Sequence, residues 1–345
     1  MISKHAFPLR AMVFGVLGVG FCSSPAVAQT ASWIVPELLQ AAKAEGTLTV
    51  YSSMNEQEGL PLWKKFEEAT GIKTEYVRAN DNALMARTAI ERRAQQRSWD
   101  VVVSTVVSRL PQDYLLPIDP PQAKEIKEQA RDPNRRWYGV YANYNAPGYN
   151  TKMVKEADLP KSYEEFATKK DWKGKIAIDV TDAHWLNAMY IHYGEEKARK
   201  IVSDIVANLN PVLVDGHLAL ARSVGGGEYM VALNNYASLT SNVKLAGGDT
   251  DYWVLEPVAL FYGQVGVNTL APHPNAAKLA ANYLLSKEGQ EMLPRAGRLP
   301  VRADVQPNPP DSFTRLESKK VILIQFSGEE EKKWLKLFQD LFKPR

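Results

Sequence analysis

Five short clusters of hydroxyl and amide side chains punctuate this sequence: Ser52-Ser53-Met54-Asn55, Asn80-Asp81-Asn82, Ser104-Thr105, Thr181-Asp182 and Asn234-Asn235-Tyr236. Groups of this kind donate hydrogen bonds, and together they suit an oxyanion. The same residue types cap helices and build turns, so one cluster alone carries little weight. Nucleophilic and metal chemistry find no such support. There is no GxSxG, HExxH or Walker loop in the chain, and each of those reactions needs its own fixed spacing. His184 and His192 are eight residues apart, which on a helix does not bring them to one metal. Glu195-Glu196 and Glu329-Glu330-Glu331 fall at expected helix starts, where they favour the helix dipole. Gly225-Gly226-Gly227 follows an expected helix, so it reads as a stop and turn, not a phosphate loop. No catalytic residue and no cofactor is expected.

The clusters matter because of the elements that precede them. Leu48–Tyr51, Lys73–Ala79 and Asp100–Ser104 read as strands, with helices between them around Leu62, Phe66 and Ala69 and over 84–96. Pro61 is expected in the first turn of the earlier helix and Gly71 at its end. A second α/β unit follows. Strands are expected at 174–180, 211–214 and 230–233, and helices at 183–193, 195–208 and 218–224. Later come two strands, 254–261 and 264–268, a helix opened by Pro274, a helix capped by Ser286, and a loop over 302–312. Ser327 and Glu330 form a capping box for a last helix striped with Trp334, Leu337, Phe338 and Leu341. In open α/β sheets, ligands bind beyond the carboxyl ends of the strands. The polar clusters stand at those ends.

The chain has 345 residues, 42 Lys+Arg and 39 Asp+Glu. That length calls for one large or two medium domains. A net charge of +3 is too small to argue for nucleic acid or an anionic membrane. The single cysteine, Cys22, rules out an intrachain disulfide. It lies in residues 1–28, which read as a secretory signal peptide: Lys4, His5 and Arg10, then the apolar Ala11–Phe21, then Ala26-Val27-Ala28 as the cleavage site. Cleavage after Ala28 would leave a mature chain with net charge +1 and no thiol. The expected location is the periplasm.

The stretch LTVYSSMNEQEGLPLWKKFEEATGIKTEYV resembles the opening strand and helix of periplasmic solute-binding proteins of ATP-driven importers, and is similar to the ferric-ion-binding class. SWDVVVST, KGKIAIDVTDAHW, GEYMVALNNYA, APHPNAAKLAANYLLSKEGQEML and GRLPVRADV match later landmarks, so the resemblance runs from about Gly46 to Val305. It implies an α/β, two-lobe periplasmic-binding-protein fold of type 2. Each lobe would be a mixed sheet flanked by helices, and two hinge strands would join them near 141–149 and 253–262. Lobe one would comprise 29–142 plus 256–345, and lobe two 143–255, closing on a ligand by hinge motion. The iron-binding members use two adjacent tyrosines, a histidine and a glutamate. Here Tyr236 is followed by Ala237, and Asn55 and Thr105 stand where the histidine and glutamate would be.

The resemblance therefore favours the organic-solute binders of the class. Their expected ligand is a small anionic or zwitterionic molecule of phosphonate, phosphosugar or carboxylate type. Ser52, Ser53, Asn55, Asn82, Ser104 and Thr105 would bind it from lobe one, and Thr181, Asp182, Asn235 and Tyr236 from lobe two. Arg222 is the expected cation, and Tyr262 and Trp185 could stack on the ligand. The expected partners are that solute and the membrane permease subunits of an importer, with the receptor a monomer and no nucleic acid involved. A second reading is ferric binding through Tyr236 with a synergistic anion. A third is an exported enzyme on the same fold, and a fourth a sensor.

Overall fold

In the computed structural model, Met1 and residues 31–342 are described. The expected leader, with Cys22 and the cleavage site at Ala28, lies outside these residues. The first part runs α1 (Pro36–Glu45), β1 (Thr47–Ser52), α2 (Glu56–Thr70), β2 (Lys73–Arg78), α3 (Asp81–Arg93) and β3 (Val101–Ser104). Irregular turns and β4 (Leu115–Leu116) lead to β5 (Trp137–Tyr144) and β6 (Gly148–Asn150). The middle contains α4 (Tyr163–Phe166), β7 (Ile176–Asp179), α5 (Ala183–Tyr193), α6 (Glu195–Leu209), β8 (Val212–Val214), α7 (His217–Gly225), β9 (Val231–Ala232), α8 (Ala237–Leu245) and β10 (Thr250–Tyr252). The last part is β11 (Val258–Asn268), α9 (Pro274–Leu285), α10 (Lys287–Glu291), β12 (Leu299–Pro300), α11 (Ser312–Leu316), β13 (Val321–Leu323) and α12 (Gly328–Phe342).

Among the described residues these strands make two mixed sheets. The first has the order β12-β5-β11-β3-β1-β2, with β13 and β4 also on β11. β1 lies parallel to both β2 and β3, with Val50 opposite Tyr76 and Val101. Such inner strands are covered on both faces, which explains the unbroken apolar run of Val101–Val103. The second sheet has the order β10-β6-β9-β7-β8, with β7 parallel to β8 and β9. The chain passes from the first sheet to the second between β5 and β6, and returns between β10 and β11. These two stretches run side by side: Asn145 N donates to Ala259 O at 2.9 Å, and Trp253 N to Pro147 O at 3.0 Å.

Helix boundaries follow local chemistry. Gly71 ends α2 with a positive φ of 76°, a left-handed conformation that costs glycine nothing. The Asn80 side chain caps α3 by accepting Ala83 N at 2.8 Å. Ser286 caps α10, and the Ser327–Glu330 capping box forms, with Ser327 N donating to Glu330 Oε2 at 2.8 Å.

Several expectations need correction. The segments expected as two strands, 254–261 and 264–268, are one strand, β11, with a bulge between Gly263 and Gln264. Pairing to β5, continuous from Leu260 to Gly266, carries the ladder through. At the bulge, a Cβ on Gly263 would sit 2.0 Å from the Tyr141 ring, so only glycine lets the two strands approach. Pro61 is not in the first turn of α2 but five residues past its first, Glu56. It withholds a donor from the Gln57 carbonyl, and Gln57 is exposed, so water can supply the bond. α3 begins at Asp81, three residues before the expected start, because Asn80 supplies the cap. α1 was not anticipated from the pattern.

α12 leaves β13 at the edge of the first sheet and packs on α5 and α6 beside the second. Its Phe338 and Phe342 are buried in the core that contains Trp185, Leu186 and Ile205.

Candidate ligand-binding cleft

A cleft of about 630 Å³ opens where the carboxyl ends of strands from both sheets face one another. That is the size of a small-molecule site. From the first sheet it is lined by Asn80, Asp81 and Asn82 at the start of α3, and by Thr105 and Arg109 after β3. From the second come Thr181 and His184 around the start of α5, Asp215 and Gly216 before α7, and Tyr236 before α8. Glu331, Leu335, Phe338, Gln339 and Phe342 of α12 form a further wall.

The polar groups are braced from behind. The Asp81 carboxylate accepts both the Ser104 hydroxyl and, at 2.6 Å, the Thr105 hydroxyl. Asp179 accepts Thr181 N at 2.7 Å, the Thr181 hydroxyl at 2.5 Å and Gly216 N at 2.8 Å, which ties two cleft loops to one buried carboxylate. Asp182 is buried and caps α5 through Trp185 N at 3.1 Å. Asn145, on the crossing stretch, donates to Asp182 Oδ2. Burial raises the Asp182 carboxyl to about 6 against the opposing pull of His217.

Two cleft-lining rings, Tyr236 and His184, each stack on a neighbouring ring. The His217 ring lies 3.7 Å from that of Tyr236, and His184 lies 3.9 Å from Phe261. Burial, with the nearby Asp182, Asp179 and Asp81 carboxylates adding to it, pushes the Tyr236 phenol well above its usual range. Burial, then the positive charge of Arg109, holds the His184 imidazole well below its usual range. The Tyr236 phenol is therefore a neutral hydrogen-bonding group, and His184 an uncharged imidazole. Among the described residues, no group of three or more His, Cys, Asp or Glu is arranged to hold a metal ion.

The model of the bacterial extracellular solute-binding protein family matches residues 100–323. This chain belongs to that family. Over 266 residues it is 23% identical to the Fe(3+)-binding periplasmic protein of Serratia marcescens, covering 74% of this chain and 78% of that one. Iron-bound HitA from Pseudomonas aeruginosa superposes with a TM-score of 0.72 at 22% identity, covering 86% of this chain and 99% of HitA. AfuA from Actinobacillus pleuropneumoniae, solved with exogenous fructose-6-phosphate, gives 0.73 at 21% identity, covering 87% and 99%. At these identities the structures establish the fold: a type 2 periplasmic binding protein with two mixed α/β sheets.

Of the residues expected to bind ligand, Asn82, Thr105, Thr181 and Tyr236 line the cleft of this solute-binding protein. Ser104 stands behind it, bonded to Asp81. Ser52 is buried, donating to Val103 O at 3.0 Å, and Ser53 N donates to the same carbonyl. Asn55 precedes α2 and accepts Arg78 Nη2 at 3.4 Å. Asn235 is buried against Thr240 at 3.1 Å. Arg222 is exposed on α7 and donates to Gln57 Oε1 of α2 at 3.0 Å. Tyr262 lines a separate cavity of about 430 Å³ with Tyr144, Arg302 and Phe313. Its hydroxyl accepts Gln129 Nε2 at 3.0 Å. Trp185 is core, donating to the Tyr163 hydroxyl at 3.1 Å.

The pattern passed over Arg109, His184 and Glu331. Arg109 follows the apolar pair Val106-Val107, and a cation one turn past a buried strand was the available signal. Glu331 sits in an acidic run that reads as a helix start, and nothing local says that one of its carboxylates turns inward.

Proposed function

We propose that this chain is the extracytoplasmic receptor of an ATP-driven importer and captures a small anionic or zwitterionic organic solute in the cleft. The observation that carries this reading is the lining itself: hydroxyls and amides from loops of both sheets, with the Arg109 guanidinium set among the Asp81, Asp215 and Glu331 carboxylates, around a small-molecule volume. Such groups bind phosphonate, phosphate-ester or carboxylate oxygens by charge-assisted hydrogen bonds. In this reading the chain is exported, cleaved after Ala28 and monomeric. It does no chemistry on its ligand, and presents the closed form to permease subunits. Lobe one comprises 29–142 plus 256–345, lobe two 143–255, and the crossing stretches are the hinge.

The test is thermal unfolding against phosphonates, phosphosugars, carboxylates, amines and ferric citrate. A ligand at a hundred times its Kd adds about 2.7 kcal/mol to stability and raises Tm by several degrees. An organic anion or zwitterion is expected to do so. Stabilisation by ferric salts alone would overturn the reading.

The second reading, ferric capture, is favoured by the names of the relatives and by Tyr236 on the cleft wall. A phenol held well above its usual range resists becoming the phenolate that iron needs. We expect no tyrosinate-to-iron colour after ferric loading. A visible charge-transfer band lost in Tyr236→Phe would establish the ferric reading instead.

A further inference from the structure

Arg109 is the buried cation of the cleft. Its side chain is only 4% exposed, and it reaches the space between the sheets beside Thr105 and His184. A buried guanidinium is normally met by a set of acceptors, because an unpaired one loses its hydration without return. Here Arg109 Nε has no hydrogen-bond partner. The group facing it is the carboxylate of Glu331, in the first turn of α12, with which Nη1 makes an ion pair. That carboxylate is itself 14% exposed and stands on the cleft wall.

The two partners are anchored on different parts of the molecule. Arg109 belongs to the turn after β3 of the first sheet. α12 is held to the second by Phe338 and Phe342 in its core and by Trp334, whose ring meets Tyr190 edge-on at 5.2 Å. Arg222, the cation expected from the sequence, is exposed and turned to Gln57. Asp81 is already engaged by two hydroxyls. That leaves Arg109 as the cleft cation with donors to spare.

We propose that Arg109 anchors the oxyanion of the ligand and that Glu331 is its built-in competitor. A phosphate, phosphonate or carboxylate entering the cleft takes the guanidinium, and the Glu331 carboxylate swings out to water. This rests on the reading of the cleft as a site for an organic anion or zwitterion, and it names Arg109 as the residue that selects for the anionic group. Affinity is then set partly from α12. If the Arg109–Glu331 pair occupies nine-tenths of the free protein, releasing it strengthens binding about tenfold.

The experiment is titration calorimetry on the full mature chain with inorganic phosphate, and in parallel with fructose 6-phosphate and 2-aminoethylphosphonate. Glu331→Gln, a change at a partly exposed helix position, is expected to tighten binding of whichever probe the wild type takes by about tenfold. Arg109→Gln is expected to weaken it by a hundredfold or more. Arg109→Lys, which keeps the charge but loses the fork, is expected to fall between, and it guards against a variant that fails for want of folding. Binding by the wild type that stays within twofold in both Glu331→Gln and Arg109→Lys overturns this inference and leaves the organic-solute reading standing. If neither wild type nor Glu331→Gln binds any of the three, while ferric citrate binds, the reading of the cleft falls and the inference with it.

Discussion

The Asp182 carboxyl sits beneath the cleft with no exposed surface on its side chain. Burial raises its pKa from 3.8 to about 6, outweighing His217, the Trp185 N–H and the Asn145 amide. An acid whose folded pKa lies above its unfolded one costs stability wherever it is charged. That cost is absent below about pH 4, grows between 4 and 6, and is complete above 6. Its full size is on the order of 3 kcal/mol. Lowering the pH from 7 to 5 should therefore relieve a strain at this position, opposite in sign to the loss that salt-bridged carboxylates bring. The carboxyl resonance of Asp182 in an NMR titration is expected to turn near pH 6. A midpoint near 4 would show that water or an unseen donor reaches it. At this scale the sequence was partly legible. Asn82, Thr105, Thr181 and Tyr236 were placed by the rule that ligands gather beyond strand ends. Asp182 and Asn235 have the same residue types in the same clusters, yet face inward. Side-chain direction at a loop residue depends on what packs behind it, and no local pattern records that.

At the scale of elements, α12 decides most. Its apolar stripe and its capping box are both plain in the sequence, but the stripe does not say which surface it covers. In the structure Phe338 is 1% exposed and lies against Phe342 at a ring distance of 4.5 Å, with Trp185 at 6.5 Å. Truncating such an aromatic leaves a cavity and typically costs 3–5 kcal/mol. Phe338→Ala is expected to lower the stability to urea by about that amount. A change below 1 kcal/mol would mean that α12 is not part of this core. The single strand β11 shows the same limit in another form. Tyr262-Gly263 breaks the apolar run, which reads as a gap between two strands. Pairing to β5 closes that gap, and the bulge at Gly263 absorbs the mismatch.

For the whole molecule, one chain crosses between two sheets twice, and the cleft lies where they face. Export is the matching prediction at this scale. If cleavage follows Ala28, protein recovered from the periplasm carries no thiol, because Cys22 leaves with the leader. A thiol reagent should find none, and one thiol per chain would move the cleavage site or retain the leader. The sequence by itself determined the α/β class, the order of the main elements from β1 to β3 and from β7 to β9, the caps at Ser286 and Ser327, and the family, because apolar periodicity, capping residues and strand-end chemistry are local and survive being read in a line. Only the tertiary structure decided which polar side chains face the cleft, that α12 walls it, and that Arg109 meets Glu331 across 222 positions of chain. Contacts of that kind depend on how two sheets and a returning helix pack in space, and sequence separation carries no trace of them.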